Sequence, residues 1–246
     1  MKDEILKIKE KFDKIKKIGW IESKRVGSTG VGYTLEFMFN TDENNLEIPD
    51  LNIFELKAQR NFSNSYITLF NATPDGDYLF EIERLRKQYG YPDKDFKQYK
   101  IVNCDVFANK ITNLGAKYKQ TIKINTDEEK IRLNILNNDL NLIDNEISWS
   151  FKLIKDKFKR KLQFLTFVEA EKKTVNGKEY FKYKDIVFYE AYSFDKFIEL
   201  LNKGIIKITF KIGIFKSGKR QGQVHDHGTG FSIKKENLNF LYKKII

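Results

Sequence analysis

From Ile48 to Ala58 the chain reads I-P-D-L-N-I-F-E-L-K-A, an apolar run with Asp50, Glu55 and Lys57 set into it. The apolar residues predict a strand, in which successive side chains point to opposite faces. Ile53, Glu55 and Lys57 then share one face, while Phe54, Leu56 and Ala58 share the other, the core face. A charge buried in such a segment costs on the order of several kcal/mol unless something satisfies it. Two carboxylates converging on one sheet edge, with an ammonium beside them, suit holding a divalent cation against a phosphodiester and placing a water next to it. An ordinary ion pair on an exposed strand face accounts for Glu55 and Lys57 equally well from the letters alone.

The letters also recur. All three prolines, Pro49, Pro74 and Pro92, are followed by Asp, and Pro92-Asp93-Lys94-Asp95-Phe96-Lys97 repeats the Pro-Asp and acid-x-Lys pattern. That rival lies in a polar run after Gly90-Tyr91, which reads as a turn. A second rival, Glu169-Ala170-Glu171-Lys172-Lys173, is borne on a strand but has no Asp placed before it.

The chain has 246 residues, enough for one sizeable domain or two lobes, and 41% of them are hydrophobic. Lys and Arg number 45 against 34 Asp and Glu, a net charge of +11 that points to a polyanionic partner such as nucleic acid. A genome bias toward lysine would raise Lys without leaving so large a surplus over acids. A single cysteine, Cys104, excludes an internal disulfide and a Cys-based zinc site, and fits a reducing compartment. The N-terminus alternates charged and apolar residues, and no apolar run is long enough to span a bilayer. A soluble, cytoplasmic protein without a membrane partner is expected.

Ile5, Ile8, Phe12 and Ile15 fall at helical spacing within residues 3 to 18. Gly27 to Phe39 predicts a short helix capped by Ser28 or Thr29, with Val31, Leu35 and Phe39 facing the core and Glu36 on its flank. Strands are expected at Ser65–Asn71, Ile101–Ala108, Lys117–Ile124 and Ile131–Leu136, with a helix at Tyr78–Gln88 after the turn signal T-P-D-G-D. Asn137 to Asn145 reads as a loop between lobes, and Trp149 to Leu162 as a basic helix. Asn176-Gly177 predicts a long hairpin between Phe164 and Tyr189. A helix at Phe194–Asn202, a strand at Ile205–Phe215 and a closing helix at Glu236–Lys243 complete a mixed α/β fold.

The last third carries a basic loop, K-S-G-K-R-Q-G-Q, followed by V-H-D-H. His225 and His227 are the only histidines and flank Asp226, but no third and fourth ligand for structural zinc is visible. No nucleophile elbow accompanies them. Donors and acceptors on a basic loop suit base edges, with Arg or His donating to guanine and Asp accepting from amino groups.

Taken together, Glu36 on a helix, then Asp50, Glu55 and Lys57, and finally H-G-T-G-F-S-I near the C-terminus resemble the MutH-like branch of the PD-(D/E)xK nucleases, and most of all the MvaI/BcnI type of restriction endonuclease. The resemblance implies a single restriction endonuclease domain over residues 1–246, with a mixed central sheet flanked by helices and two lobes around a DNA cleft. Approximate bounds are 1–136 for the catalytic lobe and 146–246 for the recognition lobe. It implies a monomer that hydrolyses double-stranded DNA with magnesium at a pseudopalindromic CCNGG-type site, with CCWGG favoured, nicking the strands in turn. Asp50, Glu55 and the main-chain carbonyl of Leu56 would hold Mg2+, Lys57 would orient or deprotonate the attacking water, and Glu36 would be an auxiliary acid. Lys216, Lys219, Arg220, His225, Asp226 and His227 would contact DNA. The setting is the bacterial cytoplasm, with no obligate protein partner and a cognate DNA methyltransferase protecting the same site without stable association. A MutH-like mismatch-repair nickase and a non-catalytic DNA-binding protein are the alternatives.

Overall fold

The computed structural model describes residues 1–39 and 49–245, with Tyr78 by its backbone only; Ile48, where the motif strand was expected to begin, lies outside the described residues. The chain forms two compact units. One comprises Met1–Ile67, Phe158–Tyr192 and Leu238–Ile246, and the other Thr68–Lys157 and Ser193–Asn237. Each is therefore assembled from separated segments, and their bounds differ from the contiguous lobes 1–136 and 146–246 read from the sequence.

The first unit is built on a hairpin, Phe164–Val175 and Lys178–Ala191, joined by Asn176-Gly177. Both turn residues have positive φ, 50° and 76°, as the tight turn matched to strand twist requires. Strand Glu55–Arg60 pairs in parallel with Phe164–Val175, so the sheet is mixed, and among the described residues it forms the sheet's free edge. Helix Lys2–Ile18 lays Ile5, Ile8, Phe12 and Ile15 onto the same core as Phe54, Leu56, Val168 and Phe188, joined by Val31, Leu35 and Phe39 of the second helix, Gly30–Met38, and its C-cap. The expected core face of the motif is thus the observed one. The expected side-chain cap of the second helix is not: Thr29 is the N-cap but makes no capping hydrogen bond.

The motif departs from the expected continuous strand. Regular pairing begins only at Glu55, and Leu51 to Phe54 form a tight turn in which the two end residues exchange both backbone hydrogen bonds at 2.9 Å. Asn52 sits in this turn at φ 58°, a left-handed conformation that Asn tolerates better than most residues. The turn also brings Ile53 against the core instead of setting it beside Glu55 and Lys57.

The second unit contains two sheets. One runs through Lys130–Leu136 and Tyr118–Asn125, and the other through Gly230–Lys234, Ile206–Ile214 and Lys100–Val106. Trp149 packs edge-on against Phe231 and donates its indole N–H to the Ala72 carbonyl at 3.1 Å. Trp149 therefore lies in strand Ser148–Ser150, and the basic helix starts later, at Phe151–Lys161. The Asn-rich stretch expected to link lobes instead contributes strand Leu142–Asp144, paired within the second unit. Its polar composition hid the pairing.

The closing helix is also shorter than expected. A single turn, Leu238–Leu241, gives way to strand Tyr242–Lys244, which pairs with the end of the hairpin and buries Tyr242. Asn52→Gly should leave stability within about 0.5 kcal/mol, whereas the β-branched Asn52→Val should cost about 1–2 kcal/mol. Urea unfolding midpoints at unchanged m-value would measure the difference.

Candidate active site

Asp50 and Glu55 are five residues apart, which in an extended strand means roughly 16 Å and opposite faces. The Leu51–Phe54 turn removes that separation. Asp50 folds back so that its Oδ2 accepts the Leu56 N–H at 2.9 Å, beside the first residues of the edge strand. Glu55 is buried, its side chain 5% exposed, and both carboxylate oxygens are taken by ammonium groups. Lys57 Nζ donates to Oε1 at 2.6 Å and Lys161 Nζ to Oε2 at 3.2 Å.

Burial works to lower the Lys57 pKa, but the charges of Glu55, then Asp50 and Glu36, outweigh it and hold Lys57 above the ordinary lysine value. Lys57 therefore stays charged, which suits it to donating hydrogen bonds and stabilising negative charge. Glu36 reaches this group from helix Gly30–Met38 as a nearby charge. The four residues expected to be catalytic are thereby brought into one electrostatic cluster.

Among the described residues, no group of three or more His, Cys, Asp or Glu side chains is close enough to hold a metal ion. Two carboxylates and a main-chain carbonyl nevertheless fit a hard cation that keeps several waters. The Leu56 N–H points to Asp50, and an extended residue presents its C=O to the same strand edge as its N–H.

The strand end also orders the loop before the second helix. Arg60 donates to the carbonyls of Gly27 and Ser28 at 2.8 and 3.1 Å, and pairs with Glu179 at 3.0 Å. At Gly30 a Cβ would lie 2.4 Å from the Arg25 carbonyl, so only glycine lets this loop pass into the helix that carries Glu36.

Both rival motifs have structural work. Asp93 accepts the N–H groups of Asp95 and Phe96, closing a turn in the second unit. Glu171 pairs with Lys184 across the hairpin, and Lys173 lies 4.5 Å over the Trp20 ring.

The residues expected to contact DNA lie in the second unit. The loop after strand Ile206–Ile214 closes through mutual backbone hydrogen bonds of Phe215 with Gln223 and Gly222. Arg220 stacks 3.9 Å over Phe215, Phe215 stacks on His225 at 4.1 Å with 9° between planes, and His225 meets His227 at 4.0 Å. Lys219 is exposed, but Lys216 is engaged by Asp95 at 2.6 Å and Asp93 at 3.5 Å. Burial raises the Asp226 pKa against the lowering effect of the Gly228 N–H and the His227 charge.

The chain matches the profile of the MvaI/BcnI restriction endonuclease family over residues 9–242. It belongs to this family. It is accordingly a restriction endonuclease, a site-specific deoxyribonuclease. Two solved structures are similar to it over its whole length. One is a complex of restriction endonuclease MvaI with its cognate DNA substrate, at 31% identity, full coverage of both chains and a TM-score of 0.91. The other is MvaI in the absence of DNA, at 30% identity, 100% of this chain and 99% of the other, and a TM-score of 0.64. No curated protein sequence matches the chain.

Two residues of this neighbourhood escape the motif. Lys161 ends a helix that the letters mark only as basic, and only the register of the following strand beside Glu55 reveals its target. Tyr242 falls within the expected closing helix, but on its strand it is buried within the field of Glu55.

The stack gives a test in the neutral range. Burial, then the charges of His227 and Arg220, lower the His225 pKa, so the unfolded chain binds the proton more readily than the folded one. Stability is then lost as pH falls through about 6.5. His225→Phe, which keeps the ring stack, should shed that contribution, so the stability difference between variant and wild type should move in the variant's favour between about pH 7.5 and 5.5.

Proposed function

We propose that this restriction endonuclease uses magnesium to hydrolyse double-stranded DNA at a CCNGG-type site, CCWGG being the specific choice, as a monomer that nicks the two strands in turn. The observation that carries the catalytic half is the turn that sets Asp50 beside Leu56 and Glu55 on the edge strand, with Lys57 charged against them. Asp50, Glu55 and the Leu56 carbonyl would hold the cation. When bound it supplies charge stabilisation at the phosphoryl oxygens. Lys57 donates toward the attacking water and the oxygens on which charge develops, and its raised pKa favours this role over proton removal. Glu36 helps keep Lys57 charged.

For the recognition half, one of the two similar structures is a complex of MvaI with its cognate DNA substrate. The Arg220–Phe215–His225–His227 stack braces its donors against one another, and a braced guanidinium suits the two acceptors of guanine. An odd-length site has a central pair that breaks its symmetry, so a monomer must read the two halves with different parts of one chain. Lys216, Lys219 and Asp226 complete the proposed surface. A methyltransferase acting on the same site would protect host DNA without stable association, in the bacterial cytoplasm.

Plasmid incubated with protein and magnesium should pass through a nicked intermediate before linear product. Asp50→Ala and Lys57→Ala should each cut on the order of 10³-fold more slowly while retaining specific binding, and Lys97→Ala and Lys173→Ala should cut normally. A fully active Lys57→Ala protein would defeat the assignment of the motif. Sequenced ends from digested genomic DNA test the site, and ends lacking CC and GG around one variable pair would rule it out.

A further inference from the structure

Glu55 is held by two ammonium groups that reach it from different elements. Lys57 belongs to the motif strand. Lys161 is the last residue of helix Phe151–Lys161, where the carbonyl ends of the helix favour a cation, and its side chain is 18% exposed. Its ammonium sits on Oε2, an oxygen that a divalent cation bound by Glu55 would claim. A carboxylate as buried as this one needs compensating charge or hydrogen-bond donors whether or not a metal is present.

We propose that Lys161 is a positioning residue, the internal counter-ion that keeps Glu55 buried, charged and ordered in the metal-free enzyme and yields Oε2 when a divalent cation binds. The inference rests on the reading of Asp50 and Glu55 as the metal site. Among the described residues the Tyr242 hydroxyl, buried within the field of Glu55, has no hydrogen-bond partner. Since Lys161 is paired with Glu55, its charge would also oppose that of a cation held by the same carboxylate. The enzyme's affinity for metal alone is thereby set lower than its carboxylates would give.

Calorimetric titration with Mg2+ or Ca2+ alone, without DNA, tests this on the full chain. Lys161→Met should bind the cation about tenfold more tightly than wild type, and Lys161→Arg should bind as wild type. In metal-free protein, Lys161→Met should lower the unfolding midpoint when Glu55 is present and change it little in a Glu55→Gln background. Equal or weaker metal binding by Lys161→Met, or additive effects of the two substitutions, would overturn the inference. A wild-type protein that takes up neither cation would instead defeat the metal reading itself, and the metal-free cycle would still decide whether Lys161 serves Glu55.

Discussion

A carboxylate withdrawn from water must be answered by positive charge or by hydrogen-bond donors, and Glu55 imposes that requirement on everything around it. One ammonium comes from two residues along the same strand, the other from the end of a helix more than a hundred residues later. To bring the second within reach, the strand beginning at Phe164 must run parallel to Glu55–Arg60, immediately after the helix that ends at Lys161. The mixed character of the sheet and the placement of the charged cluster are thus consequences of one another. Asp50 meets the same demand differently, through a backbone donor at a strand edge that is unpaired among the described residues.

Much of this was legible in the letters. The apolar spacing of the first helix, the core face of Phe54 and Leu56 and the Asn-Gly hairpin all follow from periods and turn chemistry that act over a few residues. The turn at Leu51–Phe54 was not, because Leu-Asn-Ile-Phe has strand composition and only Asn52 hints at a left-handed residue. Lys161 was illegible for a different reason. In a chain this rich in lysine, nothing local separates an ammonium that answers a buried acid from one that faces water. Tyr242 and the strand Leu142–Asp144 were missed because pairing with a distant strand overrode weak local preference.

The repeated Pro-Asp letters show how context assigns chemistry. Asp93 spends its carboxylate on two backbone N–H groups of a turn, whereas Asp50 spends an oxygen on a single N–H at the edge of a sheet. The same economy applies to the basic loop. Lys216 is already engaged by Asp93 and Asp95, so the rival motif serves to anchor the start of that loop while Arg220 is braced by Phe215.

The interleaving of the two units constrains how such a chain can be divided. The first unit draws its segments from before, between and after those of the second, so no single cut at 67, 157, 192 or 237 leaves it whole. A ribosome that has made the first 157 residues has supplied the Glu55 strand without its parallel neighbour, the hairpin strand Phe164–Val175. The edge that carries the acidic cluster is completed late, after most of the second unit's strands have emerged. Premature termination or proteolytic nicking therefore cannot release a nuclease core stripped of the segments that carry its proposed sequence choice, a safeguard for a cell that harbours an enzyme against DNA.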